Sequence, residues 1–247
     1  MINRTLEKER VIHRLSALGV IIRGVASRMK SMARRVIRRA RGLRDLAGDR
    51  DMEWMYMATR MGQYNHNEAR VLDFGCGSGI LSIAAANMRQ EVLAIDLTPQ
   101  SFSGPYTNIE FRQIDIMALD ERKEQFSMIL SCSTIEHVGL SGRYSSIEFT
   151  DGDLKAMDKL GKLLRPQGHI IMTLPVGQDA VFSPYHRVYG RDRLPRLLEG
   201  YEIVESQFSR KDRRNIWVPC SKEDVLCDIA DAHYYALAFF VLCNPST

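Results

Sequence analysis

The sequence predicts an α/β domain with a mostly parallel sheet covered by helices on both faces, preceded by a basic helical segment. Three observations carry that prediction. From about residue 50, short apolar runs alternate with stretches of helical spacing, the pattern of strand–helix–strand units. The first run leads straight into a glycine-rich turn, Asp73-Phe74-Gly75-Cys76-Gly77-Ser78-Gly79. Acidic residues, Asp96 and Asp115, then follow the next two runs, at the carboxyl edge where open sheets of this kind bind ligands.

A chain of 247 residues suits one such domain plus an appendage and is too short for two full catalytic domains. With 45% hydrophobic and 26% charged residues, wholesale disorder and a multi-span membrane protein are excluded. The charge is divided by position. Residues 1–50 hold 14 Lys and Arg against four acids, whereas the other 197 residues hold 20 basic and 26 acidic side chains. The expected division is therefore a basic amphipathic segment, 1–50, and a mildly acidic α/β domain, 51–247.

Within the first segment, Val11, Leu15, Leu18, Ile22, Val25, Met29, Met32 and Val36 fall on one stripe of a helix, with most of the arginines off it. Gly19 and Gly24 each weaken that helix by about 1 kcal/mol relative to Ala, which predicts a bend. The stripe fits packing on the domain or on a second copy, which would make a homodimer. It also fits adsorption to an anionic membrane surface, or a simple tether. A nucleic-acid contact is disfavoured, because aromatic residues hardly interleave the charges. Cys76, Cys132, Cys220, Cys227 and Cys243 form no CxxC pair, and their odd number without a secretory signal reads as reduced thiols. The expected location is cytoplasmic, with contact at the inner face of the membrane as the variant. No run approaches the ~20 apolar residues of a spanning helix.

The elements follow in order. Asp51–Met61 reads as a helix, Arg70–Asp73 as the first strand, Ile80–Met88 as a helix and Glu91–Asp96 as the second strand. Ile109–Ile114, Phe126–Ser131 and His169–Leu174 are the next three strands, with helices at Gly152–Leu164 and Arg191–Leu198. Tyr201–Phe208 and Leu237–Leu242 are the last two strands.

Glycines after the first strand let the backbone turn tightly and let a ligand approach without a Cβ in the way. A dinucleotide fingerprint would place its third glycine at Ile80, which argues against a nicotinamide oxidoreductase. Asp96 can accept the two hydroxyls of a ribose. Asp115 offers an acceptor for an exocyclic amine beside the apolar Ile116. Each acid alone is more often a helix cap; their register after successive strands favours a nucleoside.

On these residues the chain resembles the class I S-adenosylmethionine-dependent methyltransferases over about residues 51–247. The resemblance implies a Rossmann-like fold whose seven-stranded, mostly parallel sheet ends in an antiparallel strand, here Ala236–Leu242. It implies S-adenosyl-L-methionine as cofactor and S-adenosyl-L-homocysteine as product. The glycine-rich motif would be Asp73, Gly75, Cys76, Gly77 and Gly79, the ribose site Asp96 with Leu97, and the adenine site Asp115 with Ile116. Ser133, after the fourth strand, would join them.

A narrower resemblance is to a bacterial group associated with surface-polysaccharide assembly. It rests on Ser133-Thr134-Ile135-Glu136-His137, Gly142-Arg143-Tyr144, Asp151-Gly152-Asp153, Pro175-Val176-Gly177 and His186-Arg187-Val188-Tyr189. Related proteins continue Gly-Arg-Tyr with a glycine, where this chain has Ser145. The resemblance implies O-methylation of a sugar or glycan intermediate, or of another small-molecule acceptor.

Methyl transfer to a hydroxyl needs a base and near-attack geometry. His137 is the candidate base, with Glu136 orienting it or touching the cofactor and His186 as a second catalytic candidate. Arg143, Tyr144, Tyr185, Arg187 and Tyr189 are the candidates for gripping the acceptor, since arginine pairs with anions and aromatic rings stack on sugars. Asp151 and Asp153 read as solvated acids at a helix start rather than ligands of a divalent ion, and no metal is expected. Glu53, Trp54 and Tyr56 are candidates for a lid helix over the cofactor, with core packing of the two aromatic residues as the favoured alternative. The rival readings are a catalytically silent recruitment module and an RNA methyltransferase, the latter disfavoured by the acidic domain.

Overall fold

The computed structural model describes residues 29–244 except 31, 35, 39, 65–68, 103 and 143–147. The chain divides into two compact units, Met1–Asp45 and Leu46–Thr247. In the first, the described residues between 29 and 40 are helical, and Met29, Met32 and Val36 of the apolar stripe are exposed. The stripe positions Val11 to Val25 and the predicted bend at Gly19 and Gly24 lie outside the described residues.

The second unit opens with α1, Asp49–Gln63, followed by β1, Arg70–Phe74, α2, Ile80–Asn87, β2, Glu91–Asp96, and β3, Ile109–Gln113. A single 3-10 turn, Ile116–Ala118, leads to β4, Phe126–Cys132, and a second, Ile135–His137, follows it. Then come α3, Gly152–Leu163, β5, Leu164–Val176, the short strands β6, Ala180–Phe182, and β7, His186–Val188, and α4, Arg193–Leu197. β8, Glu202–Lys211, β9, Trp217–Pro219, α5, Lys222–Val225, and β10, Ala236–Cys243, complete the unit.

The sheet runs β3-β2-β1-β4-β5-β10-β8-β9. β1 to β5 pair parallel, and β10 inserts antiparallel between β5 and β8. The expected parallel sheet with an antiparallel last strand is thus present, with eight strands among the described residues instead of seven. The extra strand is β9, which pairs with β8 as a hairpin; three residues ending in Pro219 give too little periodicity to read as a strand.

The central strands are apolar throughout because both faces are covered. Alternate residues of β10 go to opposite cores: Ala238, Phe240 and Leu242 to one, Leu237, Phe239 and Val241 to the other. Tyr56, Met57 and Met61 of α1 and Leu81 and Ala85 of α2 close the second core. Ala156, Met157, Leu160 and Leu163 of α3, with Leu194 and Leu197 of α4, close the first.

α1 is fixed at both ends. Before it, the carbonyl of Ala47 accepts from Lys211 Nζ at 2.6 Å and from Trp217 Nε1 at 3.0 Å. At its end, Glu205 of β8 accepts from Arg60, Gln63 and Tyr64. Among the described residues, no helix is long and apolar enough to cross a membrane.

Candidate active site

A cavity of about 530 Å³ opens at the carboxyl edge of β1 to β4. Its floor is the turn after β1, in which Gly75, Gly77 and Gly79 have φ of 72°, 51° and 74°. These are left-handed values that side chains with a Cβ rarely adopt. Two of the glycines are also needed for space: a Cβ at Gly75 would lie 2.3 Å from Thr134, and one at Gly79 would lie 2.3 Å from Phe102. At Gly77 a Cβ would meet only the Gly75 carbonyl, at 4.0 Å. Gly77 therefore keeps open the space of the cavity itself.

Asp73, which precedes this turn, is buried and accepts from Ser82 Oγ at 2.5 Å, tying the turn to α2. Burial raises its carboxyl to about 6, against the Ser82 hydrogen bonds. Cys76 is also buried. Burial, and then the nearby Asp73 and Asp96, push its thiol up, so it is a small apolar wall residue rather than a nucleophile.

Asp96 ends β2 half-buried on the cavity wall. Its Oδ2 accepts from the Gly77 amide at 3.0 Å, and its Oδ1 accepts from the amide and hydroxyl of Thr98 at 2.8 and 2.7 Å. Three of its roughly four acceptor positions are thus filled. A ribose taking both hydroxyl bonds would displace the Thr98 hydroxyl. Asp115 uses Oδ1 to cap the 3-10 turn through the Met117 amide, 2.9 Å away, while Oδ2 has no partner among the described residues. Leu97, Ile116 and Met117 line the wall beside these acids.

The opposite wall follows β4. Ser133 is held at a φ of 44°, and its hydroxyl donates to the buried Glu53 of α1. Glu53 also accepts from Thr173 Oγ1 at 2.8 Å and pairs with Arg50 Nη1 at 2.9 Å. Burial raises the Glu53 carboxyl, against the pull of Arg50 and the two hydroxyls. Arg50 lines the cavity and reaches Cys132 Sγ at 3.8 Å.

His137 closes this wall. Its Nδ1 lies 2.5 Å from the Tyr185 carbonyl, and its Nε2 lies 3.7 Å from Glu136 Oε1. The carbonyl accepts only, so Nδ1 carries the hydrogen and the neutral ring has its lone pair on Nε2.

A family model described as "Caenorhabditis protein of unknown function, DUF268" matches residues 82–234, more than half of the chain. The chain belongs to the DUF268 family. Among curated proteins, this DUF268 member is similar to a ubiquinone biosynthesis O-methyltransferase of Sinorhizobium fredii, 34% identical over 76 residues. That match spans 28% of this chain and 31% of the relative. It is also similar to a ribosomal protein L11 methyltransferase of Bordetella parapertussis, 44% identical over 52 residues, 21% of this chain and 17% of that protein. The chain therefore matches about a third or less of the length of these relatives.

Among solved structures, the N-methyltransferase NodS of Bradyrhizobium japonicum, in complex with S-adenosylhomocysteine, superposes with a TM-score of 0.54. The match is 16% identical and covers 81% of this chain and 89% of that one. The 1,6-didemethyltoxoflavin-N1-methyltransferase of Burkholderia thailandensis gives 0.51 at 17% identity, covering 77% of each chain. The fold of the DUF268 chain is the Rossmann-like methyltransferase fold.

Of the residues the sequence singled out, the DUF268 structure brings Asp73, Gly75, Cys76, Gly77, Asp96, Leu97, Asp115, Ile116, Ser133 and His137 to the cavity. Gly79 caps α2 just behind it. Two of these residues also bond within the protein: the Ser133 hydroxyl donates to Glu53, and Asp73 accepts from Ser82.

The expected acceptor-gripping set is placed differently. Arg187 is buried and donates to the carbonyls of Val138 at 2.6 Å, Thr150 at 3.2 Å, Phe149 at 3.3 Å and Glu136 at 3.4 Å. It therefore holds the loop that carries His137 instead of facing the cavity. Tyr189 is fully buried, and its hydroxyl donates to Asp153 at 3.0 Å. Tyr185 is exposed away from the cavity lining and contributes its carbonyl.

His186 is buried between the rings of Phe182 and Tyr235, and Glu136 is buried behind His137; neither lines the cavity. Asp153 is not solvated either, being paired with Arg193. Arg143 and Tyr144, with Ser145, lie outside the described residues. Arg50 and Lys155 were not singled out by the sequence, although both line the cavity. A lone Arg in the first turn of a helix and a lone Lys within another carry no motif.

Proposed function

We propose that this chain is an S-adenosylmethionine-dependent methyltransferase whose acceptor is a hydroxyl of a sugar or glycan intermediate in surface-polysaccharide biosynthesis. The observation that carries the reading is that His137 lines the same cavity as the Gly77 turn, Asp96 and Asp115, facing them from the opposite wall. The cavity suits the cofactor. Gly77 keeps clear the space a side chain would fill, Asp96 and Asp115 offer acceptors for ribose and adenine, and Leu97 and Ile116 offer apolar surface. When bound, the cofactor supplies an electrophilic methyl carbon.

The chain's own residues do the rest. His137 accepts the acceptor hydroxyl's proton on Nε2, and Tyr185 holds the ring through Nδ1. Glu136 offers negative charge to the imidazolium that results. Arg187 fixes the loop that aims the ring, which matters because near-attack geometry is a large part of such a rate. A hydroxyl acceptor is consistent with an O-methyltransferase among the relatives. The exposed Met29, Met32 and Val36 among arginines suit a membrane-proximal acceptor, and the five unpaired cysteines suit a cytoplasmic setting.

The test is calorimetry with S-adenosylhomocysteine and NADH on wild type and Asp96→Ala, followed by labelled methyl transfer to nucleotide sugars and lipid-linked glycans. Binding of the first probe only, weakened by Asp96→Ala, together with labelled sugar, is the expected result. Binding without transfer to any sugar, but with transfer to a protein or RNA, would overturn the acceptor. Heat from NADH alone would overturn the cofactor.

A further inference from the structure

We infer that Arg50 receives the carboxylate of the cofactor's amino-acid end, with the buried Glu53 as its positioning residue. This deepens the cofactor reading above and rests on it. The order of strand ends sets the direction. Asp115 follows β3, Asp96 ends β2, the glycine turn follows β1, and Cys132 and Ser133 end β4, in a sheet ordered β3-β2-β1-β4. Neighbouring strands are about 4.8 Å apart, so this edge extends about 14 Å. With adenine at β3 and ribose at β2, the amino acid carried on the ribose 5′ carbon extends toward β1 and β4.

A carboxylate arriving there requires a cation. Among the described residues lining the cavity, the Lys and Arg side chains are Arg50 and Lys155. Lys155 Nζ lies over the Phe149 ring, 4.0 Å from its centroid, on the loop side of the site. Arg50 lies at the end of β4, against Cys132 Sγ. Its Nη1 is used by Glu53 and Cys132, while Nε and Nη2 have no hydrogen-bond partner among the described residues. They leave a planar pair of donors matched to a carboxylate.

Glu53 explains why this arginine stays in place. A carboxylate with a side chain only 1% exposed is costly unless fully paired. Here Arg50, Ser133 and Thr173 pair it. The buried charge thus fastens α1 to the ends of β4 and β5 and holds the guanidinium at the cavity wall.

The test compares S-adenosylhomocysteine with 5′-methylthioadenosine, the same nucleoside thioether without the amino-acid end. Both are titrated calorimetrically into full-length wild type, Arg50→Gln, Arg50→Lys, Glu53→Gln, Lys155→Ala and the pair Arg50→Gln/Glu53→Gln. A charge-assisted contact is worth about 10- to 100-fold in Kd. Arg50→Gln should weaken S-adenosylhomocysteine by that factor and leave methylthioadenosine unchanged, and Arg50→Lys should recover part of the loss.

Glu53→Gln should weaken S-adenosylhomocysteine alone, and the double variant should be no worse than Arg50→Gln, because the two residues act as one unit. The double variant removes both charges together and serves as the reading should Arg50→Gln alone fail to fold. Equal loss of both probes, loss of neither, or collapse of the preference in Lys155→Ala would overturn the inference while leaving the cofactor site standing. A wild type that binds neither probe would overturn the cofactor reading and this inference with it.

Discussion

The Nδ1 nitrogen of His137 lies 2.5 Å from the main-chain carbonyl of Tyr185, so the loop after β7's partner strand sets the tautomer of a ring that follows β4. The contact uses the main chain, which makes the orientation independent of the Tyr185 side chain. With Nδ1 committed as donor, the neutral ring presents Nε2 as the proton acceptor.

His137→Ala should therefore lower methyl transfer by about 10²- to 10⁴-fold. Binding of S-adenosylhomocysteine, measured by calorimetry, should change little, because Asp96 and Asp115 are untouched. Full turnover by the variant on a verified acceptor would remove His137 as the base.

Arg187 is predicted to matter for stability and loop position rather than for acceptor affinity. Its guanidinium is 2% exposed and lies 3.8 Å from Asp153, while its other nitrogens satisfy loop carbonyls. Arg187→Met should cost about 3–5 kcal/mol in urea unfolding, the range for breaking a buried charged network from one side. Normal stability combined with a raised KM for the acceptor would restore the substrate-gripping role that its sequence motif suggested.

Asp73 gives a pH dependence with a definite sign. Its carboxyl titrates near 6 in the folded protein because it is buried, so between its ordinary 3.8 and 6 the folded state binds more protons than the unfolded state. Its contribution is full below about pH 4 and is lost as the pH rises through 6. The gap corresponds to about 3 kcal/mol. Asp73→Asn mimics the protonated acid, so its stability relative to wild type should grow by roughly that amount from pH 4 to pH 7. A difference in unfolding free energy that stays flat across this range would mean that Asp73 is ionised at no cost.

The parts of the fold that were legible in the sequence are those where one local signal decides. Buried parallel strands read as apolar runs, and Gly75, Gly77 and Gly79 read as a turn. The acids Asp96 and Asp115 were legible because they follow those strands in register. What was not legible depends on contacts distant in sequence. Arg187 and Tyr189 look like ligand-binding residues by type, and only the packing of β7 against the loop after β4 shows their polar groups turned inward. His186 sits in the same motif and is buried between aromatic rings for the same reason. Arg50 became visible only when α1 was docked by Glu205 and Lys211, residues about 150 positions later. β9 was missed because a three-residue strand carries no period.

Two glycines of one turn should respond differently to the same substitution. At Gly77, alanine would pay the left-handed penalty of about 1–2 kcal/mol, and its methyl would meet no wall atom closer than the Gly75 carbonyl, at 4.0 Å. It would project into the space the cofactor is proposed to take. At Gly75, alanine would pay the same penalty and also press on Thr134, with Cγ2 at 2.3 Å and Oγ1 at 2.5 Å. Thr134 cannot easily yield, because its hydroxyl donates to the Cys132 carbonyl at 3.1 Å. Gly75→Ala should thus lower Tm by several degrees more than Gly77→Ala does. Gly77→Ala should keep most of its stability and lose at least about tenfold in affinity for S-adenosylhomocysteine, the loss expected when a methyl fills ligand space. Wild-type affinity in Gly77→Ala would mean that the ligand does not approach the backbone at this turn. Equal loss of stability in both variants would mean that the turn is constrained by its φ values alone, with Thr134 free to move aside.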